Sequence, residues 1–321
     1  MASGNASAEP RRSVIVLSEK ARYAGGFRRR EKSVGMTWKR VATAVVLIPF
    51  VVGLVLYAST AVVAVALAAI VALAMIEYFA LGDAIGHRAY RVWTLICAGL
   101  LVYSQWLASV RISLLDSWGA LYPGHISGQG GGFTQAVFFL FLLGIATLTL
   151  ATKRPMVEAL PAAGISSSAL LLVAFPLSFA VRLHGMGAIG PKLLLFALVI
   201  TWAGDTVAYF VGRAIGKHKF APVLSPKKTW EGAVGGFAGS LLVGVAFSRW
   251  IGVPMGQMLT MAAVGNVAGQ VGDLLESAYK RSAGVKDSGT LLPGHGGILD
   301  RIDALILAIP VVCYYWILFG N

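Results

Sequence analysis

The sequence predicts an all-α, polytopic integral membrane protein of about nine transmembrane helices, with its N-terminus in the cytoplasm. Three observations carry that expectation. Of 321 residues, 57% are hydrophobic and only 13% are Asp, Glu, Lys or Arg, against roughly 25% charged residues in a soluble domain. Several apolar runs reach the roughly 18–20 residues needed to cross the hydrocarbon core. The basic residues also fall in alternate loops, as the positive-inside rule requires.

Taken in order, residues 1–36 form a Ser- and Arg-rich tail without the short apolar core and small-residue cleavage site of a signal peptide. It is expected to be a disordered cytoplasmic arm. Spans are expected at 41–58, 60–80, 92–110, 133–151, 165–181, 192–212, 230–250, 255–272 and 302–319. Alternation then puts the tail and the loops near 88, 153, 220 and 285 on one side. That side holds 23 Lys and Arg, leaving Arg111, Arg182, Lys192 and Arg249 outside. Dropping one span would move the later basic loops outside and spoil the bias. The stretch "DSWGALYPGHISGQGGG", 116–132, reads as an external loop and resolves into no site. Organisation is therefore a tail (1–36), N-terminal helices (37–190) and a C-terminal helical region (191–321) that gathers the polar chemistry.

Net charge is +13, yet no basic face interleaved with aromatics and no nucleic-acid-binding motif accompanies it, so nucleic acid is not an expected partner. Cys97 and Cys313 each lie inside an apolar run and suggest neither a disulfide framework nor a thiolate metal site.

Half of the fourteen acidic residues, namely Asp205, Glu231, Asp273, Glu276, Asp287, Asp300 and Asp303, lie between 205 and 303. If a helix continues through Asp273, then Glu276, Ser277 and Lys280 share its face at i+3, i+4 and i+7. Asp300 and Asp303 form a second i, i+3 pair at the start of the last apolar run, where a helix N-terminus favours carboxylates. Carboxylates converging at a membrane face repel each other unless a cation neutralises them. A hard cation such as Mg²⁺, which takes oxygen ligands together with substrate phosphates, suits them. Zinc does not, for want of a Cys and His set.

Other features suit an anion. In "LPGHGG" the glycines let backbone N–H groups approach a phosphate, and "SPKKT" adds Lys227 and Lys228. Asp205 stands within a span, "VITWAGDTVAYF", where a carboxylate is a functional-site hypothesis by default. A cation-coupled transporter using Asp205 is the alternative from another class. It predicts paired broken helices in internal repeats, and the sequence shows no such symmetry.

Together these residues resemble the phosphatidate cytidylyltransferase (CDP-diacylglycerol synthase) family. The resemblance rests on Ser277-x-x-Lys280-Arg281, Lys286-Asp287, Pro293-x-His295-Gly296-Gly297 and Asp300-Arg301-x-Asp303, with "SPKKTWEG" from Ser225 to Gly232 and the pair Gly272-Asp273 upstream. It covers about residues 200–305; Tyr279 departs from the aliphatic or Phe residue expected there. It implies an enzyme that makes CDP-diacylglycerol and pyrophosphate from CTP and phosphatidic acid with Mg²⁺, and beside it a monovalent cation such as K⁺. The positions matching the metal ligands are Asp273 and Asp300.

On this reading Lys227, Lys228, Lys280 and Arg281 offset phosphate charge and the His295-Gly296-Gly297 turn donates N–H groups. Asp287 and Asp303 orient ligands, while Asp205, Ser225, Ser277, Lys286 and Arg301 complete the substrate site. The expected location is the bilayer of a bacterial inner membrane, with the site facing the cytoplasm. A homodimer stays open, as do related acceptors, namely those of a CTP-dependent polyprenol kinase or an ether-lipid cytidylyltransferase.

Overall fold

The computed structural model describes residues 45–119, 132–291 and 296–320, with backbone alone at 111–119. The tail 1–36, the start of the first expected span, most of the external loop and His295 lie outside the described residues. The chain divides between Pro49 and Phe50 into two units. Of the first, the described residues hold only the opening of a helix; the helix packing and the functional site belong to the second.

Helices occupy each of the nine expected segments. They are α1 (Val45–Tyr57), α2 (Thr60–Ala84), α3 (Arg91–Gly119), α4 (Gly132–Ala151), α5 (Ala159–Ala169), α6 (Phe175–His184), α7 (Gly190–Ile215), α8 (Trp230–Ile251), α9 (Met255–Ser282) and α10 (Leu299–Phe319). A wide π turn, Leu170–Ala174, joins α5 to α6, so that 156–184 is one rod. Its cause is local: Pro176 offers no N–H and its ring would crowd the carbonyl one turn back, which a widened turn relieves.

Among the described residues, seven helices are long and apolar enough to cross a bilayer. The two expected spans outside that set are α1, described over only 13 residues, and α9. In α9, Gln257, Thr260, Asn266 and Gln270 interrupt the apolar run.

The C-terminal helices pack through small residues, which let helix backbones close up where lipid supplies no hydrophobic drive for association. A methyl on Gly236 of α8 would lie 2.6 Å from the Gly204 carbonyl oxygen of α7, and one on Gly272 of α9 would lie 2.6 Å from the Asp303 carbonyl oxygen of α10. A polar ladder crosses the same interface. Ser240 Oγ donates to the Ile200 carbonyl at 2.8 Å, Asn266 Nδ2 to Ser240 Oγ at 2.8 Å, and Gln270 Nε2 to Asn266 Oδ1 at 2.7 Å. Asn266 and Gln270, two of the polar residues that lower the hydropathy of α9, therefore face α8 and are satisfied there, while Gln257 donates to the Phe319 carbonyl of α10 and Thr260 to the Gly256 carbonyl of its own helix.

One element departs from the all-helical expectation. Between α7 and α8 the chain forms a small antiparallel hairpin, β1 (Lys219–Ala221) and β2 (Ser225–Thr229), pairing Lys219 with Thr229 and Ala221 with Ser225. Thr229 ends β2 and also caps α8, its Oγ1 accepting from Gly232 N at 3.2 Å. The sequence offers little signal for this hairpin: β2 is SPKKT, with a proline and two lysines and no apolar alternation.

Candidate active site

The hairpin lays its lysines over the ends of α7 and α9. A cavity of about 480 Å³ opens there, lined by Asp205, Arg213, Lys219, Lys227, Lys228 and Asp273 together with Tyr209 and Phe220. Lys228 reaches across to Asp273 Oδ2 as an ion pair and hydrogen bond. Ser277, one turn along α9, donates weakly to Asp273 Oδ1 at 3.5 Å. Asp205 is exposed on the wall of the cavity, where Lys228 and Arg301 attract its charge and Asp273 repels it. Asp303, on α10, feels repulsion from Asp273, Glu276 and Asp205, and its Oδ1 accepts from the Ala304 amide at 2.7 Å. Carboxylates from α7, α9 and α10 thus lie within reach of one another's charge.

Beside the cavity lies a second, drier cluster. Lys280 Nζ stands 2.6 Å from Asp300 Oδ1 and 2.5 Å from Glu276 Oε2, with its side chain only 11% exposed. The Glu276 contact is a charge contact without hydrogen-bond alignment, and among the described residues neither Glu276 oxygen has a hydrogen-bond partner. One ammonium so serves two buried carboxylates, leaving an excess of negative charge where desolvation makes such an excess expensive. Asp300 is held from its other side as well, Oδ2 accepting from Ser288 N at 3.0 Å and Gly297 N at 2.8 Å.

That last bond corrects an expectation. The Gly297 amide, read from sequence as a phosphate donor, is engaged by Asp300, and the next two amides go to a residue that sequence reasoning passed over. Glu77, buried in α2, accepts from Ser288 Oγ, Ile298 N and Leu299 N, each at 2.9 Å. The glycines serve this packing. Gly296 has φ +83°, open to glycine at little strain, and a methyl on it would lie 2.6 Å from Asp300 Oδ2. One on Gly297 would overlap the Glu77 carboxylate and Ser288 Oγ. The signal that would have found Glu77 is the one applied to Asp205, a lone carboxylate inside an apolar span.

Other expected site residues do not line the cavity. Arg281 braces loops, Nε donating to the Leu224 carbonyl at 3.3 Å and Nη1 to the Val285 carbonyl at 3.0 Å. Lys286 and Asp287 are exposed in the segment after α9, Arg301 is exposed on α10, and Ser225 sits in the hairpin pair with Ala221.

Mg²⁺ passes a test of fit against this donor set. Among the described residues no three His, Cys, Asp or Glu side chains stand close enough to hold a metal by themselves. A cation held here would take one or two carboxylates and fill its remaining positions with water and phosphate oxygens, which is how Mg²⁺ commonly binds.

Fold and site together define an integral membrane protein of packed helices in which α7, α8, α9 and the hairpin line a charged cleft. The chain belongs to the cytidylyltransferase family, whose sequence model matches residues 38–319. It is similar to the phosphatidate cytidylyltransferase of Brucella abortus, 37% identical over 233 residues, 70% of this chain and 84% of that protein. The Bacillus subtilis phosphatidate cytidylyltransferase is 34% identical over 65% of this chain and 78% of its own length. For that of Staphylococcus epidermidis the figure is 47% over 125 residues, 38% of this chain and 48% of the relative, so there the match spans about half of the relative's length.

Proposed function

We propose that the chain transfers the cytidylyl group of CTP to phosphatidic acid, giving CDP-diacylglycerol and pyrophosphate, at a site facing the cytoplasm of a bacterial inner membrane. One observation carries the reading: a cavity at the end of a membrane bundle, bounded by four cationic side chains and two carboxylates from separate helices. Its size falls within the range of about 300–1,000 Å³ usual for ligand sites. The names of the relatives agree with the same substrates.

The chemistry asked of the protein is modest. A phosphatidic acid oxygen, already anionic, attacks the α-phosphorus of CTP. The bond from that phosphorus to the bridging oxygen breaks, and pyrophosphate leaves with the electron pair. The barrier comes from bringing two polyanions in line, so catalysis rests on positioning and charge stabilisation. Lys219, Lys227, Lys228 and Arg213 set positive charge around the triphosphate. Asp273 and Asp300 would hold Mg²⁺, which supplies Lewis-acid neutralisation of phosphate oxygens, and their present partners Lys228 and Lys280 are then available to phosphate. Asp205 and Asp303 add the charge that a monovalent second cation would offset. The segment 191–321 holds all of these groups.

The test uses the full chain in detergent micelles with CTP, phosphatidic acid and Mg²⁺, reading pyrophosphate release. Chelation is expected to stop release and Mg²⁺ to restore it. Asp300→Asn is expected to lower turnover by at least about a hundredfold with helicity and elution volume unchanged. Wild-type turnover in that variant overturns the role of Asp300. Release that favours a polyprenol or an ether lipid over phosphatidic acid reassigns the acceptor.

A further inference from the structure

A larger cavity, of about 1270 Å³, opens among α2, α3 and α4 and contains none of the residues placed in the active site. Three arginines line it: Arg88 before α3, Arg91 in its first turn, and Arg154 after α4. Asp83 lines it too and is paired with Arg91. Among the described residues no carboxylate pairs with Arg88 or Arg154, so the rim carries an uncompensated positive charge of about two.

Arg154 is fixed in place. Its Nη1 donates to the Arg88 carbonyl at 2.7 Å and its guanidinium stands 5.3 Å over the Tyr90 ring. The wall beneath the arginines is apolar, formed by Trp93, Ile96, Leu140 and Leu143. Trp93 is seated against Gly144 of α4, its Nε1 donating to the Phe141 carbonyl at 3.2 Å, and the wall runs out to the half-exposed Ile96 and Leu143.

Guanidinium groups above an apolar wall at a helix end match a molecule with a phosphate at one end and a hydrocarbon chain at the other. A guanidinium pairs with phosphate through two parallel N–H bonds. A soluble anion would leave the wall unused, and a zwitterionic headgroup would leave the charge uncompensated. We propose that this groove binds one anionic phospholipid, its phosphate among Arg88, Arg91 and Arg154 and an acyl chain along Trp93 and Leu143. The site neighbours the proposed catalytic one. Asp83 follows Glu77 by six residues on α2, about 9 Å along the axis, and Glu77 holds the segment that positions Asp300.

The full chain in phosphatidylcholine nanodiscs, titrated with phosphatidylglycerol brominated on its acyl chains, tests this. The readout is the quenching of Trp93 fluorescence, isolated as the difference from Trp93→Phe. Half-maximal quenching is expected at a mole fraction at least about fivefold lower than with brominated phosphatidylcholine. Arg88→Ala combined with Arg154→Ala is expected to merge the two curves; Arg88→Gln alone, at an exposed position, narrows the gap should the double variant fail to fold. Equal quenching by both lipids in the wild type, or an unchanged preference in the variants, overturns the proposal. Loss of the preference in excess inorganic phosphate assigns the arginines to a soluble anion and also overturns it. The readout is binding, so its outcome is independent of whether CTP is turned over.

Discussion

Removing the Glu77 carboxylate tests the architecture most directly, because Glu77 lies on α2, far along the chain from the charged motifs, and belongs to no part of them. It accepts three hydrogen bonds, from Ser288 Oγ, Ile298 N and Leu299 N. Hydrogen bonds to a charged group are worth about 1.5–3 kcal/mol each, and a buried amide left without a partner costs about 1–3 kcal/mol. Glu77→Leu breaks all three and strands two amides. If water and relaxation recover half of the loss, about 3 kcal/mol of ordering around Asp300 disappears, which is about a hundredfold in the population of the ordered arrangement. Pyrophosphate release should fall by about that factor, and amide exchange at 296–299 should rise while α7 and α8 stay protected. Glu77→Gln keeps the shape and one acceptor and should lose about tenfold. Turnover in Glu77→Leu within about twofold of wild type would refute the reasoning, since the bonds would then have no bearing on the site.

Further expectations follow from the same geometry. Lys228→Met removes the ammonium held by Asp273 and should raise the KM for CTP by about tenfold or more with little change in expression, read by steady-state kinetics. Gly297→Ala forces a methyl into the Glu77 carboxylate and Ser288 Oγ; its loss of activity should match that of Glu77→Leu and fail to add to it in the double variant. Gly236→Val wedges α7 from α8 at the Gly204 carbonyl and should lower the thermal midpoint in detergent, an overpacking penalty of about 1–3 kcal/mol, measured by fluorescence-detected gel filtration after heating.

Hydropathy is a property of neighbouring residues, and so the segments that became helices were legible before any coordinates: helix falls in each of the nine expected segments among the described residues, and seven helices are long and apolar enough to cross a bilayer. So were the two polar islands and the family signature in them, because Ser277, Lys280, Asp300 and Asp303 sit at fixed local spacings. What each charge touches was not legible. Lys228 finds Asp273 across 45 residues and Glu77 finds Leu299 across 222, and such partners depend on how each helix is rotated against its neighbours. Glycine contacts and a polar ladder fix that rotation. For the same reason Gly297, whose residue type alone suggested an anion donor, has its amide taken by Asp300, while three arginines far from the motifs line one groove. Sequence determined that this chain is a membrane enzyme's scaffold with its charge in the last third; only the packed helices decided which charges meet, because meeting is a matter of distance in space.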